Sequence, residues 1–244
     1  MSEHEPQPAT SAVREPEILF ENDELLVMNK PAGLLVHRSK IDAHEKRFAL
    51  QWLRNHVGYH VYPLHRLDKG TSGALAFAKT AATARRWSDL WHTQAVTKDY
   101  LALVRGWPHA EVTIDHPLRE PDSAPDSERK AAKSQLRVLQ KFLVPETIDR
   151  YPESRFALVE LSPITGRRHQ LRQHCKHISH PIIGDVRYGK GNYNRWLAGM
   201  LGTNQLLLHA KQITFNEDND IVKITAPLDK SWTRLLSYLA PYAQ

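Results

Sequence analysis

Apolar and polar positions along the chain outline its elements before any chemistry is considered. Ile18–Phe20 and Leu25–Asn29 flank the polar turn Glu21-Asn22-Asp23-Glu24, the pattern of a strand pair. Lys30-Pro31-Ala32-Gly33 breaks the second strand, and Leu34–His37 is expected to resume it. Leu50, Leu53 and Val57 recur at helical spacing within Phe48–Val57. The apolar run Ala74–Ala78 reads as a buried strand, and Thr80–His92 as an amphipathic helix carrying Trp87, Leu90 and Trp91. Tyr100–Val104 is a strand closed by Gly106; Gln135–Phe142 and Arg155–Leu161 alternate as strands. Gly166–His177 reads as a turn into a helix that stops before Pro181. Asn204–His209, Ile213–Phe215 and Ile221–Ile224 predict a closing meander, and Pro227–Leu239 a final helix. Strands mixed with a few helices, without regular βαβ alternation, predict an α+β fold. Residues 1–16 are polar and proline-bearing, the composition of a disordered lead-in, and 17–244 read as one domain. The charged, proline-broken stretch Arg119–Lys133 is expected to be a surface excursion, serving as a mobile clamp or simply as a loop.

Composition narrows the function. With 244 residues the chain buries a core without disulfides or metals, and its single cysteine, Cys175, excludes an internal disulfide. No apolar run reaches membrane-spanning length and the N-terminus has no signal-peptide core, so a cytoplasmic protein without a membrane partner is expected. The formal charge of +6 favours a polyanionic partner, because neutralising phosphates releases counterions, although charge alone does not decide it.

Three clusters carry candidate chemistry. In the first, Asp68 follows Leu67, precedes a Thr-Ser-Gly turn and lies two residues from Arg66, so a strand ending there would turn both side chains to one side. The pair also fits a surface Arg/Asp cap of a turn. In the second, Thr165–His174 holds five basic or imidazole groups at an expected helix start, a natural receiver of phosphate or carboxylate, or else a solvated basic face. The third, Lys98-Asp99-Tyr100, precedes an apolar strand, where Tyr100 also fits as a core aromatic with its hydroxyl at the rim. His174, Cys175, His177 and His180 lack the ligand spacing of a zinc site, so no metal is expected. There is no phosphate-cradling loop, dinucleotide fingerprint or nucleophile elbow, and Ser72 has no evident base in the sequence.

Taken together, six motifs resemble those of the RluA-type pseudouridine synthases. They are Lys30-Pro31-Ala32-Gly33 with Val36-His37; His65-Arg66-Leu67-Asp68-x-x-Thr71-Ser72-Gly73 with Lys79; Lys98-x-Tyr100-x-Ala102-x-Val104-x-Gly106; Thr165-Gly166-Arg167-x-His169-Gln170-Leu171-Arg172-x-His174; His180-Pro181-Ile182-x-Gly184-Asp185; and Leu206-x-Leu208-His209-Ala210. The match runs from about Ile18 to Leu239. Val36–Ser39, Val104–Trp107, Arg150–Pro152 with Arg155–Leu161, and His177–Asp185 further resemble the subgroup that acts on uridine 65 in the T-stem of tRNA. With so short a stretch before Ile18, the S4-like RNA-binding domain of many ribosomal-RNA members is not expected. One departure is Ala74-Leu75-Ala76-Phe77-Ala78, where the family has bulkier aliphatics.

The resemblance implies a mixed, mostly antiparallel sheet in two halves, a basic cleft between them, and Asp68 on its floor. It implies isomerisation of uridine to its C-glycoside with no cofactor and no metal, by a monomer whose partner is RNA, with tRNA first. Asp68 becomes the essential carboxylate, acting by addition to the ring, attack on C1′ or abstraction of a sugar proton. Arg172 keeps it ionised, and Tyr100 stacks on the base. Arg66 contacts the flipped nucleotide or its phosphate, and Leu208 lines the pocket. His65, Lys79, Arg167, His169 and Gln170 are RNA or pocket contacts. Two other readings are a synthase for ribosomal RNA or another tRNA position, and a non-catalytic RNA-binding or RNA-folding protein on the same scaffold.

Overall fold

A computed structural model of the chain describes residues 15–38, 44–91, 93, 95–217 and 220–244. Nearly all of the expected N-terminal lead lies outside the described residues. In chain order the elements are β1 (Glu17–Glu21), β2 (Leu25–Lys30), α1 (Ala49–Val57), β3 (Tyr62–Pro63), β4 (Ser72–Ala78), α2 (Ala81–Leu90), β5 (Val96–Arg105), β6 (Glu111–Asp115), β7 (Lys133–Val144), β8 (Ser154–Pro163), α3 (Gln170–His177), α4 (Gly191–Leu201), β9 (Leu208–Glu217), β10 (Asp220–Thr225) and α5 (Lys230–Leu239).

The strands form one sheet in the order β1-β2-β4-β9-β5-β8-β7-β6, with β10 beside β9 and β3 beside β4. Every pairing among them is antiparallel except β4 with β9, which holds only Ser72↔His209 and Gly73↔Ala210. That short parallel contact is where the two expected halves meet. Gly73 makes it possible: its φ is +108° and a Cβ there would run into the Ala210 carbonyl.

β4 is buried along its whole length because both faces of the sheet are covered. Leu75 and Phe77 join Leu53 of α1 in the larger core, whereas Ala74 and Ala76 join Trp87 and Trp91 in a second. The alanines that depart from the family pattern therefore face two indoles, which take up the volume that larger aliphatics would occupy.

Several expectations need correction. Leu34–His37 is not a strand: the carbonyls of Leu35 and Val36 accept the first N–H groups of α1, from Ala49 and Leu50, and that of Leu34 accepts from Lys30. Asn204–His209 and Ile213–Phe215 are not two strands, since the last two residues of the first and all of the second run together as β9. Helix α4 and strand β6 went unforeseen; Gly191 and Gly199 lower the helical signal of α4, and β6 is short and mostly polar. Asp68 does not end a strand. It lies in the loop between β3 and β4, just ahead of the parallel junction.

Candidate active site

The loop that carries Asp68 is held from both sides. Ala76 of β4 points its peptide groups away from β2, and the loop satisfies them: Leu64 N–H donates to Ala76 O at 3.0 Å and Ala76 N–H donates to His65 Nε2 at 3.1 Å. His65 therefore carries its proton on Nδ1 and stays neutral; burial and nearby Lys98 push its pKa down to about 3. Its ring stacks on Trp91. On the other side, Lys69 O accepts from Gly33 N–H at 2.8 Å and from Lys30 Nζ at 3.3 Å. Lys30 is fully buried and also donates to Pro31 O and Leu34 O, so its three donors close on three carbonyls. Burial pushes it down to about 7, against the pull of Asp68. A 3.0 Å bond from Thr71 N–H to Asp68 O closes the turn.

Arg172 meets Asp68 from helix α3. Its Nη1 donates to Asp68 Oδ2 at 3.0 Å, while Nε and Nη2 donate to Asp185 Oδ2 and Oδ1 at 2.7 and 2.9 Å. Asp185 is buried and takes two further N–H bonds, from Arg187 and Tyr188. Burial pushes its carboxyl up, but Arg172 and these N–H groups outweigh burial and carry it below the usual range. For Arg172, burial acts downward and is outweighed by Asp185 and Asp68, so the guanidinium is locked as a cation. Tyr188 lies under it, 5.2 Å from guanidinium carbon to ring centre.

Two cavities share the wall made by Arg66, Leu67, Asp68, Arg168, His169 and Arg172. The larger is a cleft of about 1400 Å³ over the junction of the two halves, reaching His37 on one side and Val186 on the other. Its charge is not uniformly positive as expected: the wall around Arg66 and Arg168 is basic, but Glu15, Glu17 and Asp229 stand at its far side. The smaller, about 220 Å³, is lined by Leu64, Tyr100, Leu171 and Leu208 beside Asp68. Asp68 thus stands where an open groove meets an apolar pocket of the size of one ring system.

The structure brings Asp68, Tyr100, Arg172, Leu208, Arg66 and His169 together. Tyr100 is buried, and burial with the charge of Asp68 raises its hydroxyl well above the ordinary range. Arg66 is exposed and has no ion-pair partner among the described residues. His169 precedes α3 in the left-handed region, φ +56°, an unusual backbone for histidine. Its Nδ1 is 3.1 Å from the Tyr188 hydroxyl and its Nε2 is 3.7 Å from Asp68 Oδ2. Burial lowers its pKa against the pull of Asp68.

Of the other expected contacts, His65, Arg167 and Gln170 also line the smaller cavity, whereas Lys79 does not. Arg167 is at the pocket rim with its Nε on Ala131 O. Gln170 is buried and fully used: Oε1 accepts from Thr165 and Arg167, and Nε2 donates to Lys133 O and Ser134. Lys79 lines neither cavity and pairs with Glu21 at 2.6 Å. Ser72 does have an imidazole neighbour, His209 Nδ1 at 2.9 Å, brought across the sheet by β9; both are buried and tie β4 to β9. His174 and His177 are engaged as well, the first with Ser134 and His116 O, the second stacked on His116. Asp185, Tyr188 and Lys30 were missed as site residues. Lys30 and Asp185 were marked only by the motifs and Tyr188 by none, since a loop aspartate, a loop tyrosine or a lysine in a strand has no periodicity to mark it.

A family model described as RNA pseudouridylate synthase matches residues 24–177. A protein of Haemophilus ducreyi named tRNA pseudouridine synthase C is 44% identical over 229 residues, covering 91% of this chain and 94% of that one. One of the same name from Haemophilus influenzae is 40% identical over 230 residues, covering 91% and 96%. Among solved structures, human RNA pseudouridylate synthase domain containing 4 superposes with a TM-score of 0.70 at 26% identity, covering 93% of this chain and 94% of that one. Human RNA pseudouridylate synthase domain containing 1 does so at 0.68 and 27%, covering 97% and 98%.

Proposed function

The chain belongs to the RNA pseudouridylate synthase family, and on that footing we propose that it converts uridine 65 in the T-stem of tRNA to pseudouridine, with Asp68 as the reacting carboxylate. The single observation that carries the mechanism is the position of Asp68 in the wall shared by groove and pocket, hydrogen-bonded to Arg172. The groove takes the RNA strand and the pocket takes one base. A uridine inside a stem is out of reach of Asp68, so it is flipped outward at a cost of a few kcal/mol.

In the pocket the N-glycosidic bond breaks, the uracil turns, and C5 bonds to C1′ in place of N1. C5 gives up its proton and N1 gains one, so the reaction is a net isomerisation. Asp68 acts on the ring or the sugar as an anion, steadied by Arg172. Leu208 and Tyr100 enclose the base, and the Tyr100 hydroxyl, held as the phenol, mediates proton transfer at C5. Arg66 meets the strand at the groove.

Residues 17–244 make up the catalytic domain, which works as a monomer in the cytoplasm. No helix among the described residues is long and apolar enough to cross a membrane. The relatives named for tRNA support tRNA as the substrate. Mapping pseudouridine in tRNA and ribosomal RNA after incubation with the protein tests this choice: conversion at uridine 65 supports it, and conversion in ribosomal RNA alone overturns it.

A further inference from the structure

We propose that Arg168 and Arg187 form a site for a backbone phosphate of the substrate RNA, and that Asp122 fills it in the free protein as a surrogate for that phosphate. The inference rests on the reading of the protein as an RNA-modifying enzyme, and adds a contact and a competitor to it.

Asp122 belongs to the excursion Arg119–Lys133. Its backbone is left-handed, φ +71°, a conformation that aspartate tolerates better than most residues. Its carboxylate is half exposed and is shared between two guanidiniums: Oδ1 lies 2.6 Å from Arg187 Nη1 and Oδ2 lies 3.4 Å from Arg168 Nη1. Two cations thus meet one anion. Arg168 is the poorly served partner. Its other contact, to Pro121 O, is also 3.4 Å, long for a charge-assisted bond, and its buried Nε has no acceptor among the described residues.

Both arginines are mounted on the catalytic framework. Arg168 lines groove and pocket, and leads through His169 into the helix of Arg172. The Arg187 N–H donates to Asp185, the carboxylate that grips Arg172. An anion held here has a fixed position relative to Asp68. A phosphodiester presents two oxygens and one negative charge, as a carboxylate does, so it replaces Asp122 without changing the net charge of the site. The root of the excursion has its own ties, Leu118 to Lys130 through the backbone and Arg119 Nε to Ser127 O. Exchange therefore asks only the Asp122 tip to leave. RNA that fails to place a phosphate at this point leaves the Asp122 pair intact and gains nothing from the two arginines.

The test is equilibrium binding of unmodified tRNA to wild type, Asp122→Asn, Asp126→Asn, Arg187→Ala, and the Arg168→Ala/Arg187→Ala double variant with and without Asp122→Asn, with tritium release from 5-tritiated uridine followed on the same preparations. Asp122→Asn removes the competitor and keeps its shape, and binding tightens about 2- to 5-fold, the span of exposed ion-pair energies. Asp126→Asn, the same charge change a few residues away, gives a smaller gain. The gain disappears in the double-arginine background, and Arg187→Ala lowers the salt dependence of binding by about one unit of slope. Unchanged or weaker binding by Asp122→Asn overturns the proposal, as does a gain equal to that of Asp126→Asn or one that survives loss of both arginines. Absence of wild-type tritium release would instead count against the enzymatic reading, independently of these affinities.

Discussion

Asp185 holds Arg172 by two parallel bonds of 2.7 and 2.9 Å, which leaves Arg172 Nη1 directed at Asp68. The aspartate proposed to react is therefore positioned by an arginine that is itself positioned by a second aspartate. Asp185→Asn should lower kcat by about 100-fold, the cost of small misplacements in an active site, while RNA binding changes far less. It should also destabilise the fold by about 3–5 kcal/mol, because Arg172 stays buried with half its partners gone. Single-turnover rates and urea melts read the two effects; wild-type kcat in a folded Asp185→Asn would break the link.

The same geometry separates two neighbouring arginines. Arg172→Ala should cost about 100- to 1000-fold in kcat, the range for loss of one preorganised electrostatic partner. Arg172→Lys should rescue little, since an ammonium cannot hold Asp185 by two bonds and reach Asp68 with a third nitrogen. Arg168→Ala should act mainly on RNA affinity. Steady-state kinetics of the three variants decide, and equal losses of kcat for Arg168→Ala and Arg172→Ala would contradict the assignment.

Tyr100→Phe should bind RNA within a few-fold of wild type and lose about 100- to 10,000-fold in turnover, the span of general acid–base contributions. Burial and Asp68 raise the Tyr100 hydroxyl, so the wild-type rate should show no tyrosine ionisation up to pH 10. A variant that no longer binds RNA would make Tyr100 structural.

His65 gives the fold an acid weakness. Its pKa is about 3 in the folded chain and near 6.5 when unfolded, so the unfolded state binds the extra proton between those values. The stabilisation is complete above pH 6.5 and is lost as pH falls toward 3. Gln in its place still offers an oxygen to Ala76 N–H but does not titrate. Urea midpoints from pH 7 to 4 should fall less steeply for His65→Gln than for wild type, and parallel curves would refute this account of the loop.

Local pattern made much of this legible in the chain. The β1–β2 pair, α1, α2 and the buried run of β4 announce themselves by period and by polar turns. The motifs carried Asp68, Tyr100 and Arg172 to one place although 104 residues separate the bonded pair. Contacts made only by the tertiary fold were not visible: Asp185 comes to Arg172 by way of a loop, and His209 reaches Ser72 across the parallel junction. Gln170 and His65 do line the smaller pocket, and their hydrogen bonds show that both also brace its wall, which the sequence does not reveal. Leu34–His37 had strand-like residues, but the donors nearest to its carbonyls were Lys30 and the start of α1.

The most direct test of the central claim is tritium release from tRNA carrying 5-tritiated uridine, with wild type beside Asp68→Asn and RNA affinity measured for both. The account predicts release by wild type, none by Asp68→Asn, and affinities within a few-fold of each other. Release by Asp68→Asn at a rate near wild type, or loss of RNA binding equal to the loss of turnover, would contradict it.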